Sequence, residues 1–318
     1  MSDRHGDISM KQELVSMGDD ALSMRGHALS ARETLAAYYE MTKPGITLMV
    51  VVSTAAGFYL ALPRDFLTLE YALLFVLTVI GTALVSAGSC VLNHVMEHRY
   101  DGAMKRTMFR PIPSGKIRPR AALMFGIGLA AAGLGLLVWA QPLTAVLAAI
   151  TFALYLGVYT PMKRRTQLST LVGGIPGALP PLGGYATISG TIGLEAFVLF
   201  MILFLWQMPH FLSLAWMYRR DYERGGFPML TVLDGSGIVV ARHVVIYTVM
   251  LLLFSLLLTV LSVTGIVYFA GALLLGAGFL AAGTRFFLDR SNSNARTVLL
   301  SSYFYLLALL TLMFIDKA

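Results

Sequence analysis

Charge is scarce in this chain. Only 13% of its 318 residues are Asp, Glu, Lys or Arg, against about 25% in soluble domains, so an ordinary water-soluble enzyme is excluded. Cysteine is nearly absent, with Cys90 standing alone. That excludes an intramolecular disulfide framework and any cysteine-built zinc or iron–sulfur centre. The combination of low hydrophobicity and high charge that keeps a chain disordered is also missing. What is present is apolar: 57% hydrophobic residues and a mean hydropathy of +0.73. An integral membrane protein remains.

The placement of the charges supports this. No Asp, Glu, Lys or Arg occurs in 44–63, 71–96, 121–162, 166–194, 196–218, 243–284 or 297–315. One helical crossing takes about 20 apolar residues, so the two longest runs must each hold two. Gln141-Pro142 and the stretch Ser262-Val263-Thr264-Gly265 carry the turn and helix-end residues that split them. The expectation is an all-α, polytopic membrane helical bundle with nine transmembrane helices, at about 45–62, 71–96, 121–140, 143–161, 168–187, 196–217, 243–263, 266–287 and 297–315. A transmembrane barrel needs short alternating segments and does not fit.

Lysine and arginine set the orientation. The N-terminus and every second loop hold 22 of the 24, leaving only Arg64 and Lys317 on the other side. The expected N-terminus is therefore cytoplasmic and the C-terminus external. The first residues have no apolar core of a signal peptide and are too acidic for a mitochondrial presequence. They are expected to form a cytoplasmic tail, 1–40, with a short surface helix near Ala31–Met41, ahead of a membrane domain at 41–318. A bacterial inner membrane suits this pattern. The basic excess, +7, reads as topology and lipid-facing charge, with no nucleic acid implied.

Polar chemistry concentrates in the expected cytoplasmic loops. Asn93, Glu97 and Asp101 are spaced i, i+4, i+8. Each step turns the helix about 40° and rises about 6 Å, so the three oxygen-bearing groups share one face. Hard oxygen donors in a row suit Mg²⁺ together with substrate phosphate. Arg106 and Arg110 follow, and guanidinium forks suit phosphate. The same residues also suit a helix end laced with i,i+4 salt bridges and lipid-facing arginines. Tyr159-Thr160-Pro161-Met162-Lys163-Arg164-Arg165 adds cations that serve either topology or a diphosphate. A third segment runs from Trp206 and His210 to Asp221-Tyr222-Glu223-Arg224-Gly225-Gly226, a carboxylate with basic neighbours just past a helix end. His210 is either hydrogen-bonded within the bundle or a haem-iron ligand, and His94 and His98 are alternatives of the same kind. The Gly- and Pro-rich stretch 173–185 marks an interior helix.

Taken together, these segments resemble the UbiA superfamily of intramembrane prenyltransferases, over about residues 38–315. The residues that carry the resemblance are Thr42-Lys43-Pro44-Gly45, the Asn93/Glu97/Asp101 row, Met104 through Pro111, Tyr159 through Arg164, and Trp206-Gln207-Met208-Pro209-His210-Phe211 through Asp221-Tyr222 to Phe227-Pro228-Met229-Leu230. The arginine-rich continuation and the Pro-His-Phe stretch are similar to a haem-directed branch. The resemblance implies farnesyl transfer from farnesyl diphosphate to the vinyl group of haem B, giving haem O and diphosphate. It implies Mg²⁺ at Asn93, Glu97, Asp101 and Asp221, with Lys43, Arg106, Arg110, Lys163 and Arg164 on the diphosphate. It places haem near His94 or His210, and it points to association with haem A synthase or terminal oxidase assembly. The second Asp of an Asp-x-x-x-Asp pair, found in ring-prenylating members, is replaced here by Gly225, with Glu223 the nearest acid. Alternatives are a prenyltransferase for a quinone or aromatic precursor and, outside that class, a transporter or a haem chaperone.

Overall fold

A computed structural model describes residues 29–63, 68–104 and 106–318. Arg64, Lys105 and most of the expected 1–40 tail, with Arg4, Lys11 and Arg25, lie outside the described residues. The chain is a multi-pass helical bundle, and the described residues contain no named strand.

Helix α1 is Ala31–Met41, where the sequence places it. Ser30 and Glu33 form a reciprocal capping box, the Glu33 backbone N–H donating to Ser30 Oγ and the Ser30 N–H to Glu33 Oε2. Ala37 and Met41 pack against Val91, Ile112 and Ala122. This seats α1 on the end of the bundle that carries most of the basic residues, here called the basic end.

Among the described residues, eight helices are long and apolar enough to cross a membrane. These are α2 (Pro44–Ala61), α3 (Leu69–Asp101), α4 (Pro119–Ala140), α5 (Pro142–Met162), α8 (Leu194–Met217), α11 (Ile238–Val260), α12 (Ile266–Leu288) and α13 (Asn292–Ile315). The single helix expected at 168–187 is instead a pair, α6 (Ser169–Ala178) and α7 (Pro180–Ser189), each of ten residues. Pro180 and Pro181 supply no backbone N–H, so the helical ladder breaks at Leu179. Two short helices, α9 (Arg219–Arg224) and α10 (Leu230–Leu233), lie in the connection from α8 to α11.

Six helices start or end beyond their charge-free runs. Helix α3 carries Glu70 and continues to Asp101, α4 carries Arg120, α8 carries Glu195, α11 begins at Ile238 and carries Arg242, α12 carries Arg285, and α13 begins at Asn292 and carries Arg296. Lipid excludes charge from the middle of a span, but the end turns of a helix continue into the interfacial region, where charge is tolerated.

Small residues bring the backbones together. A Cβ on Gly88 would stand 2.7 Å from the Gly126 carbonyl oxygen, and one on Gly133 would stand 2.6 Å from that of Gly81. Helices α3 and α4 thus pack at glycine-limited distance. Helix α7 meets α2 the same way, where a Cβ on Gly184 would collide with the Thr54 carbonyl. On the other side of the broken pair, Gln207 of α8 donates to Gly174 O at 3.3 Å. The break is therefore covered by protein on both sides, the condition under which irregular backbone is tolerated at membrane depth.

The opposite end is closed by the C-terminus. Lys317 Nζ donates to Tyr59 O at 2.9 Å and to Leu62 O at 2.6 Å. Asp316 Oδ2 accepts from Tyr268 N at 2.6 Å, and Gly265 N donates to Asp316 O at 2.8 Å. An apolar cavity of about 860 Å³ opens beside this clasp, between α2, the start of α3 and the end of α13.

Candidate active site

The acidic row forms at the last two turns of α3. Asn93, Glu97 and Asp101 are only 2%, 3% and 1% exposed. Burying such groups is costly unless each is paired, and each has a partner from a different segment. Lys43 Nζ donates to Asn93 Oδ1 at 3.0 Å. Lys163 Nζ reaches both Glu97 oxygens, at 3.3 and 3.4 Å. A single Arg110 nitrogen donates to both Asp101 oxygens at 2.8 Å.

Local backbone features aim these cations. Lys43 is the residue before Pro44 and has φ 47, a left-handed conformation that a non-glycine residue adopts at some cost. The strain sits at the N-terminus of α2 and delivers the ammonium to Asn93. Residues Leu154–Tyr159 of α5 form a π-helical turn just ahead of Pro161, a distortion that clusters at functional sites. Just after that turn, Thr160 Oγ1 donates to Tyr155 O at 2.8 Å and accepts from Asn93 Nδ2 at 3.2 Å. Asn93 is therefore held from both sides. Beyond α3, Thr107 Oγ1 donates to Asp101 O at 2.9 Å and folds the following loop back over the helix end, bringing Arg110 to the carboxylate.

The two lysines experience opposite influences. Burial holds the Lys43 ammonium below the usual lysine range, reinforced by the nearby charges of Arg110 and Lys163. Burial also opposes the charge on Lys163, but Tyr159, Glu97 and Tyr222 together raise it above that range.

The expected third segment comes to the same place. Met104 packs with Phe227 and Met229. The Lys163 ammonium sits 5.0 Å from the Phe227 ring, and the Arg106 guanidinium lies 5.4 Å from Tyr218 and 6.0 Å from Tyr222. These rings frame Asp221, whose ion-pair partner is Arg224 at 3.7 Å. Asp221 makes no ion pair with Lys43, Arg110 or Lys163. Arg164 turns to the Tyr100 ring at 4.1 Å. Among the described residues no three His, Cys, Asp or Glu side chains cluster as a ready-made metal cage.

The two candidate histidines differ. His94 is 2% exposed and both ring nitrogens lack a hydrogen-bond partner. His210 Nδ1 meets Ser302 Oγ at 2.8 Å, and its ring stacks on Trp206 with 5.1 Å between centroids. Cys90 is buried and free, a packing residue. Sequence reasoning did not single out the roles of Thr160, Phe227, Tyr218 and Ser302. The Thr-Pro step at 160–161 was the one available signal, since a proline inside a helix marks a distorted turn.

The structure is a helical bundle with two buried carboxylates at one end, Glu97 paired with Lys163 and Asp101 with Arg110. The family description that fits is the UbiA prenyltransferase family, which matches residues 50–310, and the chain belongs to that family. It is 45% identical over 286 residues to the protoheme IX farnesyltransferase of Solibacter usitatus (strain Ellin6076), covering 88% of this chain and 98% of that one. It is 43% identical over 285 residues to the protoheme IX farnesyltransferase of Salinibacter ruber (strain DSM 13855 / M31), with the same coverages of 88% and 98%. The fold is similar to a solved digeranylgeranylglyceryl phosphate synthase, with TM-score 0.74, 18% identity and coverage of 89% and 98%. It is also similar to a UbiA homologue from Archaeoglobus fulgidus solved with GPP and Mg²⁺, with TM-score 0.61, 13% identity and coverage of 87% and 99%.

Proposed function

We propose that this chain transfers the farnesyl group of farnesyl diphosphate to the vinyl group of haem B, giving haem O and diphosphate. The observation that carries the proposal is the similarity to relatives named for this activity, which extends over 98% of their length. The acid-and-cation site at the basic end supplies the chemistry.

Mg²⁺ fits the donor set. Asn93, Glu97 and Asp101 offer hard oxygens along one helix face, and Mg²⁺ commonly takes one or two carboxylates plus substrate phosphate, without an all-protein cage. Asp221, on α9, is the additional oxygen donor in this reading. When bound, Mg²⁺ supplies neutralisation of the diphosphate charge. Lys163 and Arg110 then leave their carboxylates for the phosphate oxygens, where they stabilise the charge that grows as the allylic C–O bond breaks. Lys43 does the same from the strained turn ahead of α2. Arg106 and Arg164, parked on aromatic rings, are the outer contacts of the anion. The apolar helices below keep bulk water from the allylic cation, and one water adds to the vinyl carbon, as the hydroxyl of haem O requires. Haem lies against the bundle near His94 or His210.

The basic end is cytoplasmic in this reading, by the excess of lysine and arginine. The broken α6–α7 pair makes a ninth crossing, and the membrane is a bacterial inner membrane. Haem A synthase or a terminal oxidase under assembly receives the product. The test is to incubate the purified protein with haem B, farnesyl diphosphate and Mg²⁺, with and without chelator, and to analyse extracted pigment by mass and spectrum. A farnesylated, hydrated haem that is lost on chelation is expected. No modified haem, with a prenylated quinone precursor formed in a parallel reaction, overturns the proposal.

A further inference from the structure

We infer that His210 is the nitrogen ligand of the substrate haem iron and that Ser302, on the facing helix, is the positioning residue that sets its tautomer. The inference rests on haem B being the substrate.

The argument begins with one hydroxyl proton. Ser302 Oγ donates to Leu299 O at 2.6 Å, within α13. Its single proton is thereby committed, so towards His210 Nδ1, 2.8 Å away, the hydroxyl oxygen can only accept. Nδ1 must then carry the ring proton, and Nε2 keeps its lone pair. Among the described residues Nε2 has no hydrogen-bond partner. This is the arrangement of a metal-binding imidazole: one nitrogen donates to a fixed acceptor, and the other is left basic and open.

The ring is also held in place. It stacks on Trp206 at 28° and meets the edge of Tyr303 at 4.9 Å. The Trp206 indole N–H donates to the Ser302 carbonyl at 2.6 Å, which locks α8 to α13 at this level. His210 lies seven residues before Met217, the last residue of α8. That is about 10 Å below the basic end, so a porphyrin held there keeps its propionates towards the arginines of that end. His94 lacks these features. Both of its nitrogens are enclosed without a partner, so nothing sets its tautomer, and it adjoins Asn93 of the diphosphate site.

The test is a titration of ferric haem B into the purified full-length protein, without farnesyl diphosphate, read by the Soret band and by electron paramagnetic resonance. Wild type is expected to give a nitrogen-ligated spectrum. His210→Gly loses that spectrum and regains it when free imidazole is added, which also shows that the variant is folded. Ser302→Ala binds haem about tenfold more weakly, with a shifted ligand-field signature, the usual scale for losing the partner of a ligating histidine. Ser302→Thr, which keeps the hydroxyl, restores both. An unchanged spectrum in His210→Gly overturns the ligation, and wild-type affinity and spectrum in Ser302→Ala overturn the positioning role. Failure of wild type to bind haem at all overturns the substrate reading itself, which keeps the two failures apart.

Discussion

The two ends of the bundle both use lysine, but with different partners. At the opposite end Lys317 donates to the carbonyls of Tyr59 and Leu62. These are neutral acceptors that stay where the backbone puts them. At the basic end Lys163 and Arg110 rest on carboxylates, and Lys43 on an amide oxygen. A buried carboxylate needs some cation, and a metal can serve as well as a lysine. In the proposed function the clasp is a permanent joint, whereas the pairs around α3 exchange with the metal and the diphosphate. The large apolar cavity lies beside the clasp and away from the acidic row, so the size of a void does not by itself locate the chemistry in this fold.

Four variants break or sharpen this contrast, from the largest effect on turnover to none. The swap Glu97→Lys with Lys163→Glu keeps the ion pair but moves the acid off α3. It should stay folded by gel filtration and thermal unfolding, while haem O formation falls by about 10²–10³-fold, the scale of losing one dedicated charge stabiliser. Recovery of activity in the swap would make the pair a joint like the one at Lys317. Arg110→Lys keeps the charge but loses the planar fork, and turnover should drop about tenfold, equivalent to about 1.4 kcal/mol in the barrier. Thr160→Val removes the hydroxyl that holds Asn93 Nδ2; about 1 kcal/mol, the net worth of a neutral hydrogen bond, should appear in turnover. Lys317→Ala should lower the stability of the detergent-solubilised protein by about 1–2 kcal/mol, for hydrogen bonds from a charged donor, and leave kcat/KM unchanged.

Much of the fold was legible in the sequence, because exclusion of charge from lipid is a property of position along the chain alone. The spans from α2 to α13 follow the charge-free runs, and the Ser30–Glu33 pair announces α1. Boundaries failed where a charge is tolerated inside a helix. Asp101, Arg242 and Arg296 each sit within one, since a charge at a helix end needs only a partner or the interface. The expected fifth span was legible as interior from its glycines and prolines, but not as a pair of helices, because a proline step can either kink a helix or end it.

The candidate site was legible as an inventory. The row came from helical spacing, Arg106, Arg110, Lys163 and Arg164 from the basic segments themselves, and Lys43 from the resemblance to a family. The pairings were not legible, because Lys43–Asn93 and Lys163–Glu97 join residues 50 and 66 positions apart. The left-handed backbone at Lys43 and the π-helical turn before Thr160 bring them together, and neither has a spacing signature. The same limit hid the bond between His210 and Ser302, 92 positions apart.

The central claim is that the buried acids at the end of α3 hold the metal–diphosphate rather than merely neutralise arginine and lysine. It is tested most directly by haem O formation in membranes carrying Glu97→Ala or Asp101→Ala protein, supplied with haem B, farnesyl diphosphate and Mg²⁺. The account predicts near-complete loss of product in both, with the proteins still inserted at wild-type levels. Near-normal haem O from both would contradict it.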